Sequence, residues 1–124
     1  MAQIARHQDL KVYQAAFSIS MELFELSKTF PKEETYSLTD QIRRSSRSVC
    51  SNLAEAFRKR KYPKAFIAKI ADCEGEAAET QVWIAYSSAC EYVLEEVKEV
   101  LSRKYDKIIA QLVTMRNHPE KWSR

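Results

Sequence analysis

The stretch QIRRSSRSVCSNLAEAF, residues 41–57, holds three arginines, four serines and a single acid, Glu55. Wound at about 3.6 residues per turn it sorts into two sides. Ile42, Ser45, Ser46, Val49, Leu53, Ala56 and Phe57 share one side with Leu38 upstream. Arg43, Arg47 and Arg58 lie opposite, with Arg44 toward one flank. Serine is therefore the packing residue and arginine the outward one. A serine hydroxyl that bonds back to the preceding helical turn lets a neighbouring helix come close without leaving a polar group unpaired.

Working outward, Pro31 and Pro63 are the only prolines between the termini. Each ends or opens a helix, because proline lacks the N–H that a helix interior uses. The pattern predicts helices over about 9–30, 36–60, 63–90 and 95–117. In the first, Asp9 reads as the N-cap, and Leu10, Tyr13, Phe17, Met21 and Phe24 form a seam expected to face the core. Lys11, Gln14, Ser18, Glu22 and Glu25 share a narrow polar stripe. Val12, Ala16, Ile19, Leu23, Leu26 and Phe30 widen the apolar arc well past the roughly 100° that one core needs. Of these, Val12, Ile19, Leu23, Leu26 and Phe30 are assigned to a self-association surface.

The third helix places Phe66, Ile70, Cys73, Ala77, Ile84 and Ser88 inward by the same count. Val82, Trp83 and Tyr86 point away from that seam and join the predicted oligomer interface. The fourth shows Val97, Leu101, Tyr105, Ile108, Leu112 and Met115, and the turn before it is placed at 91–94. Four antiparallel helices with short links make an all-α, up-down four-helix bundle, a single domain over residues 1–124. One glycine and three prolines in 124 residues suit that reading, since they leave little material for turns.

No apolar run approaches the roughly 18 residues of a membrane span, and MAQIARHQDLK lacks the apolar centre of a signal peptide, so a cytoplasmic protein is expected. Cys50, Cys73 and Cys90 are odd in number and widely spaced, which points to reduced thiols rather than to disulfides or a zinc site. The net charge of +3 conceals an asymmetry. Residues 41–71 carry nine basic side chains against Glu55 alone, and 72–101 carry eight acidic ones against Lys98 alone.

The segments FPKEETYSLTDQIRRSSRSVCSNLAEAFRKRKYPKAF and AETQVWIAY, with DLKVYQAAF before them, resemble the hallmark segments of the bacterial 23S ribosomal RNA intervening-sequence protein family. The likeness spans nearly the whole chain. It implies an antiparallel four-helix bundle, a ring-like homopentamer and no established enzymatic activity; no cofactor is expected. The family's name reflects genes found within inserted segments of 23S ribosomal RNA, and many members lie elsewhere. Ala56 and Glu91 stand where many members have glycine. The fold is also similar to the accessory protein of diversity-generating retroelements, which binds nucleic acid, an analogy at the level of fold.

Two groups of polar residues compete for function. Arg43, Arg44, Arg47, Arg58, Lys59, Arg60, Lys61 and Lys64 form a basic cluster suited to phosphate, because its neutralisation by Lys and Arg releases counterions. Alternatively, Arg43 and Arg47 pair with Asp72, Glu76 and Glu79, within a subunit or across a ring interface, leaving 58–61 as the free part. Tyr62 and Phe66 are either base-stacking rings or core residues. Gln41, Asn52, Glu55, Glu74 and Gln81 read as a structural hydrogen-bond network near the seam of helices two and three.

Catalysis finds no footing. His7 and His118 lie near the ends, so the Glu-x-x-His pairs of di-metal bundles are missing and no metal site is assigned. There is no Gly-rich phosphate loop, and no serine has a neighbouring histidine. The resulting expectation is a non-enzymatic protein that binds itself and RNA or a ribonucleoprotein. The alternative is a self-assembling protein–protein scaffold without nucleic acid.

Overall fold

A computed structural model describes residues 4–123. Its four helices are α1 (Lys11–Ser27), α2 (Leu38–Arg58), α3 (Pro63–Ala89) and α4 (Glu95–Asn117). Short 3-10 turns cover His7–Asp9, Lys32–Glu34 and Pro119–Lys121, and no strand occurs among the described residues. Each helix packs on the next, and α4 returns to α1, so α1 and α3 are parallel and sit on one diagonal. Pro63 opens α3 at a position where its missing N–H costs nothing. Asp9 does not cap α1: it belongs to the preceding 3-10 turn, and Leu10 occupies the capping position without a side-chain cap.

The core runs through the bundle from Leu10 and Phe66 at one end to Phe30 and Leu38 at the other, with Leu23, Ile42, Ile70, Tyr105 and Leu112 fully or almost fully buried. On α2 the inner side is the one the pattern requires, from Leu38 through Phe57. Helix α1 departs from expectation. Val12, Ile19, Leu23 and Phe30, assigned to an oligomer interface, lie in the subunit's own core beside Ala16, whereas Phe17 and Met21 of the supposed inner seam are exposed. Periodicity defines an apolar arc but not which part of an over-wide arc turns inward. Leu26 and Trp83 are half-buried against the core, so of the eight interface residues only Val82 and Tyr86 are open to solvent. On α3, Thr80 and Ser87 are buried, and Ser88 is only half-buried.

Seams differ around the bundle. The α2–α3 seam is tight because Ser45, Ser46, Cys73 and Ala77 are small and fully buried. Ser46 Oγ donates back to the Arg43 carbonyl at 3.2 Å, as a helix-packed serine does. Ser45 instead meets Thr80 Oγ1 at 2.8 Å across the seam, and the Cys73 thiol lies 3.6 Å from the Val49 carbonyl. Burial pushes the Cys50 thiol up to about 11 and Cys73, with Asp72 nearby, to about 12, so neither is a ready nucleophile. The α1–α4 seam is looser: a groove of about 390 Å³ opens between Leu26, Val97, Val100 and Leu101, spanned by the Glu22–Lys104 ion pair at 2.9 Å.

Candidate nucleic-acid interface

The structure divides the basic cluster into three. Arg44 leans toward α3, where Nη1 meets Glu76 at 3.3 Å and Nη2 bonds to Glu79. Partial burial opposes its charge, but the two carboxylates outweigh that and raise its pKa. Within the subunit, the ion pairing expected of Arg43 and Arg47 thus falls to their neighbour. Those two lean the other way, toward α1, and their guanidinium groups sit 4.8 and 5.7 Å from the Phe24 ring centre. Arg43 Nε also donates to Ser27 Oγ at 2.8 Å. Between the two leanings lies a concavity of about 640 Å³, lined by Thr39, Asp40, Arg43, Arg44, Arg47, Ser48 and Ser51, with Thr35 at its end.

The third part is the α2–α3 corner. Arg58, Lys59, Lys61 and Lys64 are all exposed there. Arg58, Lys61 and Lys64 enter no ion pair among the described residues, and the charge of Lys59 is felt by Glu55. Arg60 folds over the Phe57 ring at 4.1 Å and donates to the Phe57 carbonyl at 2.9 Å. The two aromatic candidates separate: Phe66 is fully buried in the core, while Tyr62 is 68% exposed beside the lysines. The alternating helix directions put Arg6 and Lys121 at this same end, and Glu33, Glu91, Glu95 and Glu96 at the opposite one. The bundle is electrically polarised along its axis.

Gln41, Asn52, Glu55, Glu74 and Gln81 do not form one network. Asn52 and Glu55 share Lys69 of α3, at 3.3 and 2.6 Å, and the ammonium holds the Glu55 carboxyl below its ordinary value. Glu74 faces the other way and receives Arg116 of α4 at 2.7 Å. Gln81 also binds α4, donating to the Ser102 carbonyl at 3.0 Å and to Asp106 at 2.9 Å, whereas Gln41 only accepts from Arg44 within α2. All but Gln41 are register pins between successive helices. Lys69, Thr80 and Arg116 complete them. A helical count puts Lys69 on a flank of the inner seam of α3, but which neighbouring helix that flank meets is not encoded in the count. Among the described residues no three His, Cys, Asp or Glu side chains are grouped to hold a metal ion, and no helix is long and apolar enough to cross a membrane.

The model of the 23S rRNA-intervening sequence protein family matches residues 8–114. Among solved structures, the chain is similar to a protein of unknown function from the S23 ribosomal protein family of Bacteroides thetaiotaomicron, with 24% identity and a TM-score of 0.77. The superposition covers 86% of this chain and 95% of that one, which shows a shared fold. No curated protein matches the sequence.

Proposed function

The chain belongs to the 23S rRNA-intervening sequence protein family, and from that premise we propose that it is a non-enzymatic, cytoplasmic RNA-binding protein that works as a homo-oligomer, a pentamer by the resemblance, and takes RNA phosphates at the basic end of the bundle. One observation carries this reading. Arg43, Arg44 and Arg47 are occupied by Phe24, Ser27 and two carboxylates, while Arg58, Lys61 and Lys64 stand exposed and without an ion pair among the described residues. Cations left solvated in one place are a footprint for a polyanion. Tyr62 beside them offers a face for an unstacked base. The acidic opposite end would repel phosphates, so RNA approaches from one direction.

The rival scaffold reading draws on Arg44, whose charge is spent inside the subunit. Fluorescence anisotropy of a labelled structured RNA at two salt concentrations separates the readings. RNA binding predicts affinity that falls steeply with salt. Replacing Arg58, Lys59, Lys61 and Lys64 together by alanine should weaken it by about tenfold or more and flatten the salt slope, by about one unit for each phosphate no longer neutralised. Absence of binding at low salt, or binding untouched by the quadruple variant, defeats the proposal.

A further inference from the structure

Two helix faces, on opposite sides of the subunit, are apolar and uncovered. On α1 the Tyr13 and Phe17 rings stack at 6.1 Å, and Met21 continues the row; Phe17 is 51% and Met21 46% exposed. On α3, Ala68, Ala71, Gly75, Ala78, Val82 and Ala85 are all exposed, recurring at alternating steps of three and four residues. That interval keeps one side of a helix against a second helix running alongside it. Gly75 is the chain's only glycine, and a Cβ built there meets nothing within 4 Å in its own subunit. Glycine weakens a helix interior relative to alanine, and nothing inside this subunit asks for it. A close approach from outside does.

We infer that these faces meet in self-assembly: the Phe17–Met21 row of α1 in one copy seats on the Ala71–Gly75–Ala78 face of α3 in the next. This rests on the self-association proposed above and not on RNA binding. Heights along the bundle support the match. Arg43 and Arg47 reach Phe24, Arg44 reaches Glu76 and Glu79, and Ser45 meets Thr80, while on the other side Glu22 meets Lys104 and Gln81 reaches Ser102 and Asp106, so Phe24 lies between the levels of Ala78 and Trp83. Because α1 and α3 are parallel and rise equally per residue, Met21 comes level with the stretch 75–80 and Phe17 with 71–76. In a ring whose axis lies along the bundle, neighbouring copies share one height. The bulkiest exposed side chains of α1 then face the smallest residues of α3.

Charge supports the same register. Arg43 and Arg47 flank the α1 row on its α2 side, and Asp72 and Glu79 flank the α3 face on its α2 side. When copies stand side by side in the same orientation, those two flanks coincide and basic meets acidic. Asp72 is well exposed and makes only a 4.0 Å approach to Lys69, so it has capacity for a second cation. The contact joins two different surfaces and is therefore heterologous, the kind that closes into a ring when the rotation between copies divides the circle evenly.

Sedimentation or light scattering of the full chain tests this, with Met21→Glu and Gly75→Leu as variants. A Cβ at 75 meets no atom of its own subunit, and leucine is a better helix former than glycine, so that variant stays folded, which circular dichroism and a melting curve verify. The wild type should sediment as an oligomer, and each variant should dissociate at concentrations at least about tenfold higher than the wild type needs. If the wild type is a monomer at micromolar concentration, self-association itself fails. If the wild type assembles and Gly75→Leu keeps its mass, copies meet elsewhere and this interface is wrong. Loss of RNA binding by Met21→Glu with the oligomer intact would give the α1 row to RNA and overturn the assignment as well.

Discussion

Helices α1 and α2 are neighbours in one bundle, and their sequences speak with different clarity. On α2 the outer side is charged, so only one way of turning the helix buries apolar surface and leaves the arginines wet, and every residue from Leu38 to Phe57 that the pattern turns inward is buried. On α1 the apolar arc takes in Tyr13, Phe17, Met21 and Phe24 as well as Val12, Ile19 and Leu23; the core buries the second set, Tyr13 and Phe24 are half-buried, and Phe17 and Met21 stay outside. A helix with one apolar side reports its own orientation. A helix with nearly two reports that a second surface exists, and leaves open which is which.

The largest expected effect tests that division directly. In a Gly75→Leu background, where copies are to be separate, Leu23→Ala should cost about 2–5 kcal/mol, because a fully buried leucine leaves a cavity. Met21→Ala should change the same subunit's stability by no more than about 0.5 kcal/mol, since nearly half of the side chain already faces solvent. Urea unfolding gives both numbers. Equal losses at the two positions would mean that α1 is turned differently from the arrangement described, and the contrast with α2 would collapse.

Why the rest was hidden follows from the same geometry. The serines of α2 are legible as packing residues, yet Ser45 bonds across to Thr80 while Ser46 bonds back to Arg43, and a helical count cannot tell a cross-seam partner from a local one. The same count places Arg44 toward one flank of α2 and Arg43 and Arg47 away from it. Which flank meets α3 and which meets α1 depends on the handedness of the bundle, and no single helix encodes that. Hence the pattern matches Glu76 and Glu79 to Arg43 and Arg47, when within the subunit Arg44 holds them. The polar set fails similarly: Glu74 and Gln81 lie on the α4 flank of α3 and Asn52 and Glu55 face its α2 flank, so they never meet. Apart from Arg60, which folds over Phe57, the run at 58–64 is exposed, and it is legible because a short corner between helices offers little for lysine to fold against.

A smaller conflict between residue and backbone occurs at the α3–α4 turn. Glu91 has φ 64, the only positive value among the described residues other than glycine. The N–H of Tyr92 bonds to the Ser87 carbonyl and that of Glu91 to the Ser88 carbonyl, both at 2.9 Å, the pattern with which helices commonly close on a left-handed residue. Glycine fits there without a Cβ clash. Glu91→Gly should stabilise the subunit by about 1 kcal/mol or less, seen as a higher melting temperature. A lower one would show that the glutamate side chain matters more than its backbone strain.

The mildest effect concerns the end of the bundle where α2 begins. Glu34 accepts from Ser37 at 2.6 Å and from the Tyr92 hydroxyl at 2.9 Å, tying the start of α2 to the α3–α4 turn, where the Tyr92 ring packs on Phe30 at 5.6 Å. Those hydrogen bonds hold the Glu34 carboxyl below its ordinary 4.5, and the same bond, with burial adding to it, pushes the Tyr92 phenol up to about 12. The signs are opposite. The Glu34 contribution is complete above pH 4.5 and disappears as pH falls through its lowered folded value; that of Tyr92 is complete below pH 10.0 and disappears as pH rises through about 12. Glu34→Gln removes both ionic dependences while keeping an acceptor. Its melting temperature should fall less than that of the wild type between about pH 5 and 3, and ultraviolet titration should show one tyrosine ionising earlier. If acid lowers both melting curves equally and the tyrosine titration is unmoved, the tie carries no charge-dependent stability and holds the turn through packing alone.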